Sequence, residues 1–156
     1  IENIEWEVPD EDYVIPLGKA DVKREGTDAT IIASSIMVHR ALEAAETLRR
    51  EHSVGTEVLD IRSLVPLDKE ALLSSAAKTG YVVIGDEGHR SNNVASGLAS
   101  IIAEEGFESL KGPIKIVSPP DVCIPYSPPM EEFIRPTADK LVASVLSLLK
   151  LSPATA

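Results

Sequence analysis

Short apolar runs alternate with longer amphipathic stretches from residue 28 onward. Ala29-Thr-Ile-Ile-Ala33 is the first run, and its lack of polar alternation predicts a strand buried on both faces. Over 36–52 the period changes. Met37, Val38, Ala41, Leu42, Ala45 and Leu48 share one stripe, with Arg40, Glu43, Arg49 and Arg50 off it, which predicts a helix. Residues 57–61 predict a second strand. Asp68 then caps a predicted helix reaching Lys78, with Leu72, Leu73, Ala76 and Ala77 as its apolar side and Gly80 as its stop. Residues 81–85 predict a third strand. One of Ser91, Asn92 and Asn93 caps a helix to Glu105, striped by Val94, Ala95, Leu98, Ile101 and Ile102. A fourth strand follows at 114–117. Thr137 caps a last helix to Lys150, with Leu141, Val142, Val145, Leu148 and Leu149 facing inward.

Two stretches break this rhythm. Residues 1–28 are acidic, carry Pro9 and Pro16, and show no helical period. They predict a linker with short strands at 14–17 and 20–23, pinned to the body by Trp6 and Tyr13. Six prolines between Pro119 and Pro136 exclude a helix interior and a central strand. That stretch predicts a rigid extended strip, with Tyr126, Met130 and Phe133 available to a partner.

Strands alternating with helices predict an α/β fold. The expected architecture is a three-layer open sheet, mostly parallel, of about five strands with helices on both faces. The division is a linker and edge strand over 1–28, an α/β domain over 29–150 and a flexible tail over 151–156.

Composition narrows the function classes. The chain has 156 residues, 44% hydrophobic and 26% charged, which suits one globular domain. Net charge is -10, from 15 Lys+Arg against 25 Asp+Glu, so phosphate backbones are repelled and nucleic acid is not an expected partner. No apolar run approaches the ~20 residues of a membrane span, so no membrane is expected either. The single cysteine, Cys123, forms no internal disulfide. A start at Ile1, without Met or a signal pattern, reads as part of something longer.

Ligands in such sheets sit beyond the carboxyl ends of the strands, here Ser34-Ser35, Arg62-Ser63, Asp86-Glu87 and Ser118. None of these carries a dinucleotide or phosphate-loop glycine motif. The densest polar cluster is Asp86-Glu87-Gly88-His89-Arg90-Ser91-Asn92-Asn93. It could hold a small anion at a helix start. The commoner role for such a turn is to cap the helix and meet a neighbouring subunit. His39, His52 and His89 lie on different elements and give no zinc spacing, and Cys123 has no base beside it. No catalytic, cofactor-binding or metal-binding residue is expected in the chain.

Several motifs then fall in a specific order: Ile15-Pro-Leu-Gly-Lys-Ala-Asp-Val-Lys-Arg-Glu-Gly-Thr-Asp28, Val38-His39 with Ala41-Leu-Glu-Ala-Ala45, Glu57-Val-Leu-Asp-Ile-Arg62-Ser-Leu-x-Pro66-Leu-Asp68, Lys78-Thr-Gly80 leading to Asp86-Glu87, and Pro113-Ile-Lys followed by Asp121-Val-x-Ile-Pro-Tyr126. Over 8–150 this set resembles the C-terminal domain of the β subunit of thiamine-diphosphate-dependent 2-oxoacid dehydrogenase E1 components (pyruvate, branched-chain and acetoin), a relative of the third domain of transketolase. The resemblance implies a five-stranded, mostly parallel sheet. It implies a pyrimidine-binding domain before Ile1, and thiamine diphosphate and magnesium held in the full enzyme rather than in this part. The domain would pack against a second β subunit and the E1 α subunit, and would help receive the subunit-binding domain of the E2 acyltransferase. The compartment is the cytoplasm in a bacterium, or the mitochondrial matrix or a plastid in a eukaryote.

Two departures from the family pattern locate the residues of interest. Glu87 and Arg90 match after the third strand, but the family's glycine pair is replaced. Asp86-Glu87 and Ser118-Pro-Pro lean toward acetoin-type members. Lys111 stands where pyruvate-type members carry an acid facing E2, although Glu104, Glu105 and Glu108 lie close by. Asp86, Glu87, His89, Arg90, Glu108, Lys111 and Tyr126 are therefore the expected interface or polar-loop residues. The competing readings are the third domain of a transketolase-like or deoxyxylulose-phosphate-synthase-like enzyme, and an independent small-molecule-binding domain using the 86–93 loop.

Overall fold

The structure, a computed structural model, describes residues 10–151. Its elements run β1 (Asp21–Arg24), β2 (Ala29–Ala33), α1 (Ile36–His52), β3 (Thr56–Asp60), α2 (Lys69–Thr79), β4 (Val82–Gly85), α3 (Val94–Glu105), β5 (Lys115–Val117), α4 (Pro128–Ile134) and α5 (Ala138–Leu149), with a 3-10 turn at Phe107–Ser109. The five strands form one sheet in the order β1-β3-β2-β4-β5. β1 alone is antiparallel, pairing Asp21 with Asp60 and Val22 with Leu59. β2 pairs in parallel with β3 and β4, and β4 with β5.

The apolar runs become the central strands because every residue of β2 and β4 is buried, as a doubly covered sheet requires. On one face α1 and α5 pack Ala41, Ala45, Leu48, Leu141 and Val145 against Ile31, Val58 and Val83. On the other α2 and α3 pack Leu72, Ala76, Leu98 and Ile102 against Ile32, Leu59 and Ile84. The polar atom inside β2 is satisfied: Thr30 Oγ1 donates to the Ser75 carbonyl at 3.1 Å and lies 3.0 Å from Thr79 Oγ1. Helix ends follow their sequence signals. Asp68, Asn93 and Thr137 each accept from an amide three residues on, and Gly80 closes α2 in the left-handed conformation.

Five details differ from the sequence reading, the first being Val94, which was placed on the apolar stripe of α3 and is exposed. The strand expected at 14–17 is absent, and Tyr13 is exposed rather than pinned. Trp6 lies outside the described residues. The proline stretch contains helix α4, because Pro128 and Pro129 occupy its first turn, where a missing N–H breaks no intrahelical bond. On α2 the fourth inward position is not Ala77, which is exposed. Ser75 and Thr79 are buried instead and meet Thr30.

Candidate functional site at the carboxyl edge of the sheet

The strand order reverses direction between β2 and β4, so the crevice at their carboxyl ends is where a ligand would be expected. Ser34, Ser35 and Asp86 border it. Asp86 is already engaged. Its Oδ1 accepts from the Gly88 amide at 2.8 Å and its Oδ2 from the Ala95 amide at 2.8 Å. Its own amide donates to Val117 across to β5. The carboxylate therefore shapes the turn and starts α3, with both oxygens used internally.

The rest of the polar loop is stitched to the proline-rich strip. The Arg90 amide donates to the Pro119 carbonyl at 3.0 Å. Ser91 donates twice to Asp121, from its amide at 2.9 Å and its hydroxyl at 2.8 Å. These bonds from Ser91 hold the Asp121 carboxyl below its ordinary value, with His89 and Arg90 adding positive charge. His89 Nε2 lies 2.9 Å from the Val122 carbonyl, which can only accept, so Nε2 carries the proton. The Arg90 guanidinium donates to Ser96 Oγ at 3.1 Å, and Asn93 Oδ1 accepts from the Ser96 amide and hydroxyl. These side chains hold one loop against another, and Glu87, His89, Arg90 and Ser91 are all exposed. Glu87 borders a hollow of about 230 Å³ with Arg40, His89, Glu131 and Arg135. In that hollow cations and carboxylates are balanced, a poor selector for a small anion.

The strip itself is apolar and outward-facing. Tyr126 is fully exposed, Phe133 is 80% exposed and Ile124 67%. Their exposure makes the strip a candidate contact surface.

Glu108 and Lys111 lie at the opposite end of β5. α3 runs from the carboxyl edge of the sheet back to its amino edge, where Glu104, Glu105 and Glu108 gather around the 3-10 turn. Lys69 neutralises Glu105 at 2.5 Å. Lys111 is not free: its Nζ donates to the Thr79 carbonyl at 3.0 Å and sits 5.9 Å over the Tyr81 ring. Its stem lies across Gly80, where an added Cβ would come within 2.7 Å of Lys111 Cγ. The structure thus brings Asp86, Glu87, His89 and Arg90 together at the carboxyl edge with Tyr126 beyond them. It sets Glu108 and Lys111 apart at the amino edge.

Three features escaped the sequence reading. Arg40 and Arg135 border the carboxyl-edge hollow, and Arg40 donates to the Pro136 carbonyl. A largely apolar groove of about 700 Å³ runs beside α3, bordered by Ala99, Ala103, Phe107, Leu110 and Ile114. Leu17 and Val65 stand out in solvent. Phe107 was the available signal for the groove, an aromatic just past Gly106, which caps the end of α3. Among the described residues no three His, Cys, Asp or Glu side chains converge as metal ligands, and no helix is long and apolar enough to cross a membrane.

The fold is an open α/β sheet whose edge carboxylate is bound within its own loop and whose proline-rich strip exposes several large apolar side chains. The chain belongs to the transketolase C-terminal domain family, whose profile matches residues 18–141. It is 45% identical over 147 residues to the acetoin:2,6-dichlorophenolindophenol oxidoreductase subunit beta of Bacillus subtilis, covering 94% of this chain and 43% of that protein. It is 43% identical to the 2-oxoisovalerate dehydrogenase subunit beta of the same organism, covering 93% of this chain and 44% of that protein. It is 40% identical over 121 residues to the B. subtilis pyruvate dehydrogenase E1 component subunit beta, covering 78% of this chain and 37% of that protein. Among solved structures it is similar to a split-gene transketolase described as an inactive beta4 tetramer, with TM-score 0.76, 35% identity and coverage of 94% of this chain and 46% of that one. The chain spans less than half the length of each of these proteins.

Proposed function

We propose that this chain is the C-terminal assembly domain of the β subunit of a 2-oxoacid dehydrogenase E1 component, acting on pyruvate, acetoin or a branched-chain 2-oxoacid in the full enzyme. The observation that carries the reading is the run of 40–45% identities to β subunits of all three kinds of enzyme. The exposed strip from Val122 to Phe133 supports an assembly role, as a surface for a second β subunit or the α subunit. The acids around the 3-10 turn suit a basic segment such as an E2 subunit-binding domain.

Thiamine diphosphate with magnesium does not fit the residues described here. Both Asp86 oxygens are already engaged by backbone amides, and Gly85-Asp-Glu-Gly88 places carboxylates where a diphosphate needs bare amides. In this reading the cofactor's ligands come from the pyrimidine-binding domain and the α subunit. This domain contributes position rather than chemistry.

The full-length subunit, purified with its α partner, tests the reading. The assay is dichlorophenolindophenol reduction driven by acetoin, pyruvate or 2-oxoisovalerate. Dye reduction with one of them, lost when the β subunit is omitted, is expected. Ketol transfer between sugar phosphates without dye reduction would instead favour the transketolase-like alternative.

A further inference from the structure

Leu17 and Val65, 86% and 92% exposed, are held out in solvent by a framework that is not loose. The loop after β3 is tied at each step. Arg62 adopts the left-handed conformation with φ 48°. Its amide donates to Asp60 at 3.0 Å and its guanidinium to Asp21 at 2.6 Å. Ser63 Oγ donates to the Pro66 carbonyl at 2.6 Å, and Leu64 bridges to Leu67. The incoming chain is strapped to the same loop. Gly18 presses on the Pro66 ring, where an added Cβ would come within 2.8 Å, and the Ala20 amide donates to Asp68 Oδ2 at 3.1 Å. Leu17 and Val65 therefore stand on either side of the Gly18–Pro66 contact, and their chain neighbours Tyr13, Val14, Ile15 and Leu64 are exposed as well.

A mobile loop can turn its apolar residues inward, whereas a tied one keeps them in water until something covers them. Preorganised apolar side chains of this kind are what an interface uses, because little ordering cost remains at contact. The patch carries no charged side chain of its own, in contrast to the Val122–Phe133 strip, which is interleaved with Glu131 and Glu132. That composition fits a permanent contact.

We propose that the Leu17–Val65 seam is the seat of the domain that precedes this one in the same polypeptide. Two observations select that occupant. The family profile is that of a C-terminal domain, and the relatives carry more than half of their length outside the matched part. The seam also includes residues 13–17, the segment that leads back toward that part. A domain tethered there meets the patch at high effective concentration, ahead of any free partner. The inference rests on the function proposed above and names a surface which that function leaves unassigned.

Val65→Glu and Leu17→Glu test it, in the 156-residue chain and in the full-length subunit. In the 156-residue chain both are expected to leave the melting temperature and the light-scattering mass unchanged, since both side chains already face water. In the full-length subunit each is expected to speed trypsin cleavage after Lys19 and Lys23 by at least about tenfold, because cleavage follows the population of the opened interface. Equal cleavage of variant and parent full-length subunits would overturn the inference and leave the proposed function standing. A fall in mass of the variant 156-residue chain would assign the seam to a second copy and overturn it as well. An upstream reading frame that encodes no further domain would remove both.

Discussion

Lys78 Nζ lies 2.5 Å from Glu57 Oε2, and the two residues are unequal in exposure, with side chains 37% and 2% accessible. Glu57 is a carboxylate in the middle of β3, inside the doubly covered sheet. Its other oxygen, Oε1, is buried without a partner. Lys78, at the last turn of α2, also bonds Glu25, which is 76% exposed. The interior charge therefore depends on one ammonium that reaches it from the surface. Uncovering a buried charge is costly, whereas replacing both members by apolar groups is often close to neutral.

Lys78→Met is expected to lower stability by about 3 kcal/mol, the scale of a broken buried pair. Glu57→Met combined with Lys78→Met is expected to recover most of that loss. Urea unfolding of the two single variants and the double variant measures the coupling. Additive losses in the double variant would refute the dependence of Glu57 on Lys78.

The same pair predicts alkaline behaviour. Bonds from Glu25 first, and Glu57 second, hold the Lys78 ammonium above its ordinary value of 10.5. A raised pKa means that the stabilisation is complete below the unfolded value and is lost as pH climbs through the folded one. Melting temperature should fall more steeply above pH 10.5 in the parent chain than in Lys78→Met. Parallel curves for the two proteins would contradict this.

Two glycines should respond in opposite directions to alanine. A Cβ at Gly26 would lie 2.2 Å from the Glu57 amide nitrogen, in backbone that has nowhere to go. Gly26→Ala is expected to cost at least about 2 kcal/mol, as overpacking does. At Gly97, inside α3, an added Cβ meets nothing within 4 Å. Gly97→Ala is expected to stabilise by about 1 kcal/mol through helix propensity alone. Thermal unfolding of both variants decides, and a loss at Gly97 would mean that the exposed face of α3 is not free.

The contrast between those glycines shows what a sequence can and cannot disclose. The central strands were legible because a run such as Ala29-Thr-Ile-Ile-Ala33 has only one economical use, burial on both faces. The caps Asp68 and Thr137 were legible because they act on amides three residues away, within local reach, whereas Asn93 was one of three candidates that only the structure separates. What failed was decided at long range or by register. Tyr13 had no neighbour in sequence to say whether the body would cover it. Helix α4 was hidden by counting prolines without asking where in a turn they fall, since Pro128 and Pro129 at its start favour it. The polar residues 86–93 follow β4 directly. That Ser91 would meet Asp121, thirty residues on, depended on β5 lying beside β4.

Asp68 joins the linker to the body and should report on acid unfolding. It caps α2 through Ala71 and receives the Ala20 amide, and those bonds, the one from Ala71 foremost, hold its carboxyl below the ordinary 3.8. A lowered pKa stabilises above the unfolded value and is lost as pH falls through the folded one. Asp68→Ala is expected to cost about 1–2 kcal/mol at neutral pH, the range of a lost cap. The gap to the parent should narrow as pH drops below 3.8. A gap that stays constant with pH would show that the cap acts without its charge.

The last prediction concerns a basic E2 segment at the amino edge of the sheet. Glu104, Glu105 and Glu108 surround the 3-10 turn beside the apolar groove, and Lys69 cancels Glu105. Glu104 and Glu108 are then the acids left to meet a cation, and Glu108→Lys is expected to weaken binding and flatten its salt dependence. Steering by such charges fades beyond a screening length of ~8 Å at physiological salt. Lys111 opposes a cation nearby, yet Lys111→Asp also removes the bond to Thr79 and the stem across Gly80. Lys111→Met keeps most of the stem across Gly80 but loses the charge and the bond to Thr79, so it should tighten binding modestly at a smaller cost in melting temperature than Lys111→Asp. Glu131→Lys and Glu132→Lys lie at the other end of β5, too far for one small segment bound at the 3-10 turn, and should leave its affinity unchanged. Surface plasmon resonance against the E2 segment at two salt concentrations reads all four variants. A response to the Glu131 or Glu132 variants with none to Glu108→Lys would move the docking site to the carboxyl-edge strip. Affinity independent of salt would sink the electrostatic account altogether, because exposed charges that only solvate a surface leave no such signature.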